Sequence, residues 1–269
     1  MRGRDGATPM SAALRILHRD AQLCAVHKPA GLLVHRTAVS RGETRFAVQM
    51  LRDTLGVHVH PVHRLDRGTS GVLLFALDRD TARAIGECLA HGQVAKRYLA
   101  IVRGVPADEG VIDHPLARVR DAYAFAPEEE SASQHALTRY RRLAIVELPV
   151  TVDRYPTSRY ALVELVPETG RRHQIRRHLK HIAHPVIGDA TYGKGRHNRF
   201  FAQRFGSTRL LLACVELRLE HPVTRVPLVL QAPPDDDFAR VAEALGWEAT
   251  VLTRPMVPPG AAGHTRGIR

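Results

Sequence analysis

The sequence predicts an α+β protein organised as one main domain. Apolar runs of strand length recur from residue 14 to residue 230, and four stretches among them carry helical periodicity or helix cap residues. The chain has 269 residues, 44% of them hydrophobic, enough to bury a sizeable core. The domain is expected over residues 14–249. The polar residues 1–13 and the Pro-, Gly- and Arg-rich residues 250–269 are expected to be disordered tails.

In chain order, residues 14–17 and 23–26 read as strands. The second ends in His27-Lys28-Pro29-Ala30-Gly31, a turn marked by Pro and Gly, and residues 32–34 read as a third strand. Residues 45–55 space their apolar side chains as in a helix, with Gly56 as its end. Residues 72–75 are four consecutive apolar residues, the mark of a buried strand, and the loop before them has turn chemistry. Residues 80–91 read as a helix capped by Asp80, striped by Ala84, Ile85, Cys88 and Leu89, and stopped by Gly92. Residues 94–104 form a strand, 110–116 a short one, and 121–133 a solvated loop with three successive glutamates. Residues 136–148 and 159–166 read as two strands joined by a turn. Thr169 is the expected N-cap of a helix over 169–182, whose apolar stripe is Ile175, Leu179 and Ile182. Residues 210–219 and 226–230 are the last strands, and 235–245 the last helix, ended by Gly246.

Charge narrows the function classes. Thirty-nine Lys and Arg against 27 Asp and Glu give a net charge of +12, and the pI is about 10.4. Such a balance suits a polyanionic partner. No apolar run approaches the ~18 residues of a membrane span, and the N-terminus lacks a signal peptide's apolar block, so no membrane partner is expected. Cys24, Cys88 and Cys214 are isolated, which indicates neither a disulfide framework nor a thiolate zinc site and fits a reducing cytoplasm. His58, His60 and His63 have a spacing at which histidines can share a metal, similar to the ligand cluster of the metallo-β-lactamase zinc hydrolases. That cluster needs an Asp before its last His, and Val62 stands there, so no metal is expected. No glycine-rich phosphate loop is present.

The most specific stretch is His63-Arg64-Leu65-Asp66-Arg67-Gly68-Thr69-Ser70-Gly71. A carboxylate with Arg64 and Arg67 as sequence neighbours suits a nucleophile or base better than a general acid. Taken alone, an Asp beside Gly and Ser is more often a turn residue. The string H-R-L-D-x-x-T-S-G, however, resembles the catalytic loop of the RluA-type pseudouridine synthases. Further matches to that family are V-x-K-P-x-G-x-x-V-H at residues 26–35, K-x-Y at 96–98, T-G-R-x-H-Q-I-R-x-H-L at 169–179 and the G-D-x-x-Y-G segment at 188–193. Together they cover about residues 14–247.

The resemblance implies a mixed, mainly antiparallel sheet with flanking helices and a central cleft. It implies isomerisation of a uridine in RNA to pseudouridine, with no cofactor. By it, Asp66 is the essential carboxylate, Tyr98 stacks on the target base, and Arg176 orients Asp66, which a guanidinium can do with a bidentate grip. Arg64 fills the gap left by the extruded nucleotide. Arg67, Arg171, Arg172, Arg177 and Lys180 are expected RNA contacts, with Arg172, Arg176 and Lys180 aligned at i, i+4 and i+8 on one helix face. The chain's size and residues 154–160 look most like the branch that modifies position 65 in the T-arm stem of tRNA; ribosomal RNA is the alternative substrate. A monomer is expected. Ala213 stands where relatives usually carry a histidine, a departure expected to touch packing rather than chemistry.

Overall fold

The computed structural model describes residues 13–36, 42–118 and 132–253. The expected tails, but for their inner ends, and most of the acidic loop lie outside the described residues. Twelve strands and six helices follow in order. They are β1 (Arg15–Arg19), β2 (Leu23–Lys28), α1 (Ala47–Leu55), β3 (His60–Pro61), β4 (Ser70–Ala76), α2 (Arg79–Ala90), β5 (Ala95–Arg103), β6 (Glu109–Asp113) and β7 (Leu116–Ala117). Then come β8 (Ser133–Gln134), β9 (Leu137–Leu148), β10 (Ser158–Pro167), α3 (Gln174–His181), α4 (Gly195–Phe205), β11 (Leu212–Glu220), β12 (Pro227–Gln231), α5 (Asp236–Ala244) and α6 (Ala249–Thr253).

Ten strands form one sheet in the order β1-β2-β4-β11-β5-β10-β9-β6, with β12 added beside β11 and β3 beside β4. Every pairing is antiparallel except β4 with β11. The mixed, mainly antiparallel sheet is therefore as expected. Its central strands are buried on both faces, which is why they read as unbroken apolar runs rather than alternating ones. On β5, Tyr98, Ala100 and Val102 join one core with α1 and the stripe Ile175 and Leu179 of α3. Leu99 and Ile101 join a second core, with Phe201 and Phe205 of α4 and Phe238 and Val241 of α5. Ala213 belongs to that second core, on the side away from Tyr98.

Several local readings need correction. Residues 32–34 are not a strand: only Leu33 makes an isolated bridge, to Phe46. Their apolarity signals burial, and the carbonyls of Leu33 and Val34 instead accept from the Ala47 and Val48 N–H groups at the start of α1 (2.9 and 3.0 Å), which a helix N-terminus leaves unpaired. Asp78, not Asp80, caps α2: its Oδ1 accepts from the Thr81 N–H at 2.8 Å and its Oδ2 from the Thr81 hydroxyl at 2.7 Å. Thr169 does not cap α3, which begins only at Gln174, after His173 at a left-handed φ of 55°. Thr169 instead accepts from the Leu137 N–H and donates to Gln174 Oε1. Helix α6 covers residues 249–253, and α4 has no counterpart in the sequence reading.

Candidate active site

Asp66 lies in the loop that leads into β4. Its carbonyl accepts from the Thr69 N–H at 3.0 Å, closing a turn. The next carbonyl, of Arg67, accepts from the Gly31 N–H at 2.8 Å and from Lys28 Nζ at 3.2 Å. Lys28 is fully buried and also donates to Leu32 O at 2.8 Å and Pro29 O at 3.0 Å. Burial without a paired carboxylate brings its pKa down to about 7. The K-P-x-G phrase thus clamps the Asp66 loop. From the other side, Arg209 donates to the Ser70 hydroxyl at 3.1 Å and the Leu212 carbonyl at 3.2 Å, and is itself paired with Asp235. Gly71 ends the loop at φ +113°, where a Cβ would lie 1.9 Å from the Cys214 carbonyl oxygen. Only glycine permits both that backbone and the close approach of β4 to β11.

Arg176, in the first turn of α3, joins two carboxylates. Its Nε donates to Asp189 Oδ2 at 2.7 Å, its Nη2 to Asp189 Oδ1 at 2.9 Å, and its Nη1 to Asp66 Oδ2 at 2.9 Å. The bidentate grip expected on Asp66 therefore falls on Asp189, and Asp66 receives a single bond. Asp189 is the better anchor because its Oδ1 also accepts the N–H groups of Thr191 and Tyr192, both at 2.9 Å. Burial would raise its pKa, but these bonds outweigh burial and hold it low. Burial likewise works against the Arg176 cation, and the bonds to Asp189 and Asp66 more than offset it, so its pKa is raised. The Tyr192 ring lies 5.1 Å beneath the guanidinium. Asp66 Oδ1, by contrast, accepts no hydrogen bond among the described residues; the nearest ion-pair contact is His173 Nε2 at 3.8 Å. Burial lowers the His173 pKa, and its Nδ1 is 3.1 Å from the Tyr192 hydroxyl.

These groups open into a cleft of about 670 Å³ between the Asp66 loop, the end of α2, the start of β5 and residues 167–176. Tyr98 projects from β5 into its wall, directly across the sheet from Cys214 on β11. Burial, with Cys214 and Asp66 nearby, pushes the phenol well above its usual pKa, so it stays neutral. His63 Nε2 accepts from the Leu74 N–H at 3.1 Å, and burial, helped by Lys96, pulls its pKa down to about 3. With that nitrogen committed to the backbone, His63 lines the cleft wall, while His58 and His60 lie outside it.

The structure brings Asp66, Tyr98 and Arg176 together and places exposed Arg64 at the cleft, along with Arg171 and half-buried Arg172. Arg67 turns away to Gly31 O and Glu43, so it is not Asp66's partner in space. Arg171 Nε donates to His135 O and Arg177 Nη1 to Ala117 O. Arg177 and Lys180 do not line the cleft; Lys180 is exposed, 5.8 Å from the Tyr192 ring centre. The motif at residues 188–193 contains Asp189, but nothing in the sequence places it beside Arg176. Its signal was the buried arginine itself, which needs more negative charge than one half-exposed carboxylate.

A family model described as RNA pseudouridylate synthase matches residues 22–181. The tRNA pseudouridine synthase C of Vibrio cholerae is 46% identical over 241 residues, covering 89% of this chain and 98% of that protein. Its namesake from Salmonella typhi is 48% identical over 253 residues, covering 93% and 97%. Among solved structures, human RNA pseudouridylate synthase domain containing 4 superposes with a TM-score of 0.65 at 27% identity, covering 87% of this chain and 94% of that one. Human RNA pseudouridylate synthase domain containing 1 shares the fold, with a TM-score of 0.63 at 24% identity.

Proposed function

This chain belongs to the RNA pseudouridylate synthase family, and from that premise we propose that it converts one uridine of tRNA to pseudouridine, at position 65 in the T-arm stem. The observation that carries the reading is the Asp66 carboxylate, with one oxygen fixed by Arg176 at 2.9 Å and the other open to a cleft that Tyr98 also lines. The reaction is an isomerisation. The N1–C1′ glycosidic bond breaks, the uracil turns, and a C5–C1′ bond forms; the proton lost from C5 is balanced by one gained at N1. Atoms are conserved and no electrons leave. A carboxylate held in one rotamer supplies the essential lone pair, and the flat, neutral ring of Tyr98 supplies a face for the flipped base. Exposed Arg64 supplies a planar cation to stack where the nucleotide has left. The relatives named for tRNA support that substrate class, and the resemblance of residues 154–160 supports the T-arm position. Three free cysteines and no disulfide among the described residues suit a cytoplasmic setting, and no described helix is long and apolar enough to cross a membrane.

The test uses unmodified total tRNA incubated with wild-type protein or Asp66→Ala, with modified positions mapped by carbodiimide primer extension. A single new stop in the T-arm stem is expected with wild type and none with the variant. RNA affinity should stay within about tenfold, since phosphate contacts dominate binding. Turnover retained by Asp66→Ala would sink the catalytic assignment. A stop on ribosomal RNA but none on tRNA would move the substrate.

A further inference from the structure

We propose that Lys96 is a phosphate-binding residue of the cleft, gripping the RNA backbone beside the target uridine. The inference rests on RNA entering this cleft, as read above. Lys96 stands two residues before Tyr98 on β5, and so on the same face of the sheet, and both line the cleft. The intervening Arg97 points to the other face, where it pairs with Glu164 at 2.5 Å.

What sets Lys96 apart is the absence of a partner among the described residues. Lys28 is spent on three carbonyls, Arg176 on Asp189 and Asp66, and Arg209 on Asp235. The Lys96 ammonium makes no ion pair or hydrogen bond among the described residues, although burial weighs on it enough to lower its pKa. The two titratable groups it acts on are neutral. The Cys214 thiol stays protonated, its pKa pushed up to about 12, and His63 is uncharged at neutral pH. Gly170 presents no side chain; a Cβ there would sit 3.8 Å from Nζ. A partly desolvated cation without a counter-charge is unfavourable in the free protein. It becomes favourable when the ligand brings the anion. Uracil is neutral before reaction, so the anion that RNA offers is a phosphodiester. A compact ammonium on a flexible stem suits it as a point charge.

The experiment measures affinity for a T-arm RNA across salt concentrations, with wild type, Lys96→Met and Lys96→Arg, each carrying Asp66→Ala to block turnover. Loss of one phosphate contact should reduce the slope of log K against log salt by about 0.7–0.9 in Lys96→Met, and Lys96→Arg should restore it. Since Nζ makes no ion pair or hydrogen bond among the described residues, Lys96→Met should melt no lower than its parent. The decisive arm replaces single phosphates around the target uridine by neutral methylphosphonates. At one linkage, the parent should weaken to the level of Lys96→Met, and Lys96→Met should not weaken further. Equal losses in both proteins at every linkage would overturn the assignment. So would an unchanged salt slope with a slower single-turnover rate in otherwise wild-type Lys96→Met, which would place the ammonium on the uracil. Wild-type protein that binds and converts no RNA would instead defeat the underlying reading, and this inference with it.

Discussion

Replacing Asp189 by Asn should slow turnover by about tenfold to a hundredfold and leave tRNA affinity within about twofold. The geometry sets the size. Asp189 Oδ1 accepts from Arg176 Nη2 and from the Thr191 and Tyr192 N–H groups, while Oδ2 accepts from Arg176 Nε alone. Asparagine keeps one carbonyl oxygen for the first three donors and turns an NH2 toward Nε. One charge-assisted bond is lost, at about 1.5–3 kcal/mol, and two donors face each other. Asp66 remains to pair the cation, so the loss should stay below the ~3–5 kcal/mol of an orphaned buried charge. At roughly 2–4 °C per kcal/mol for a chain of this size, the melting temperature should fall by about 3–12 °C. The rate falls because Arg176 no longer has a fixed base and shifts toward Asp66; a displacement of about 1 Å at a reacting group can cost ~10²-fold. Thermal melting and single-turnover tritium release from 5-tritiated uridine in tRNA measure the two effects. Asp189→Asn that melts lower but turns over at the wild-type rate would refute the positioning role. A variant unchanged in both would refute the energetic reasoning as well.

Gly71→Ala should cost about 3 kcal/mol or more through its left-handed backbone and the collision with the Cys214 carbonyl; soluble, normally melting protein would contradict the close approach of β4 and β11. Arg64→Ala should impair folded T-arm substrates more than a short single strand bearing the same uridine, and equal losses would argue against the wedge role. Acid should expose His63: the unfolded chain binds a proton below pH 6.5, the folded imidazole only near pH 3, so its contribution to stability is lost as pH falls through that window. His63→Gln should flatten the fall of the urea midpoint between pH 6.5 and 3, and an identical profile would count against the burial of that ring.

Much of the fold was legible because its signals are local. The apolar runs of β4, β5 and β10 announce strands buried on both faces, and Gly56, with its left-handed φ of 68°, marks the end of α1. The Asp66 and Arg176 motifs announced a pair that lies 110 residues apart in sequence and 2.9 Å apart in space. The errors arise where one residue type can serve several partners. Thr169 has cap chemistry, yet Gln174 draws it into a side-chain network that ties the loop to β9. Arg176 shares a helical spacing with Lys180, yet one is buried on carboxylates and the other exposed. Helix α4 escaped because its sequence, GRHNRFFAQRF, is mostly polar. Its core face is carried chiefly by Phe201 and Phe205, a pair four residues apart and too short a pattern to stand out. Asp189 escaped because spacing along the chain gives no sign that its loop folds back beneath α3.

The position of β11 bears on how the protein is made. Asp66 leads into β4 and Tyr98 projects from β5, but these strands do not touch; β11, residues Leu212–Glu220, lies between them. A ribosome synthesising this chain therefore releases the carboxylate and the tyrosine long before the strand that unites them. Until then β4 and β5 each present an unpaired edge, a template for wrong partners. The growing chain carries Asp66 and Tyr98 with no pocket around them, so activity on tRNA is expected only after β11 has joined the sheet. Closure must wait for a long-range insertion, a slow class of folding step. Released chains truncated between residues 200 and 240 would show activity appear only once β11 is complete.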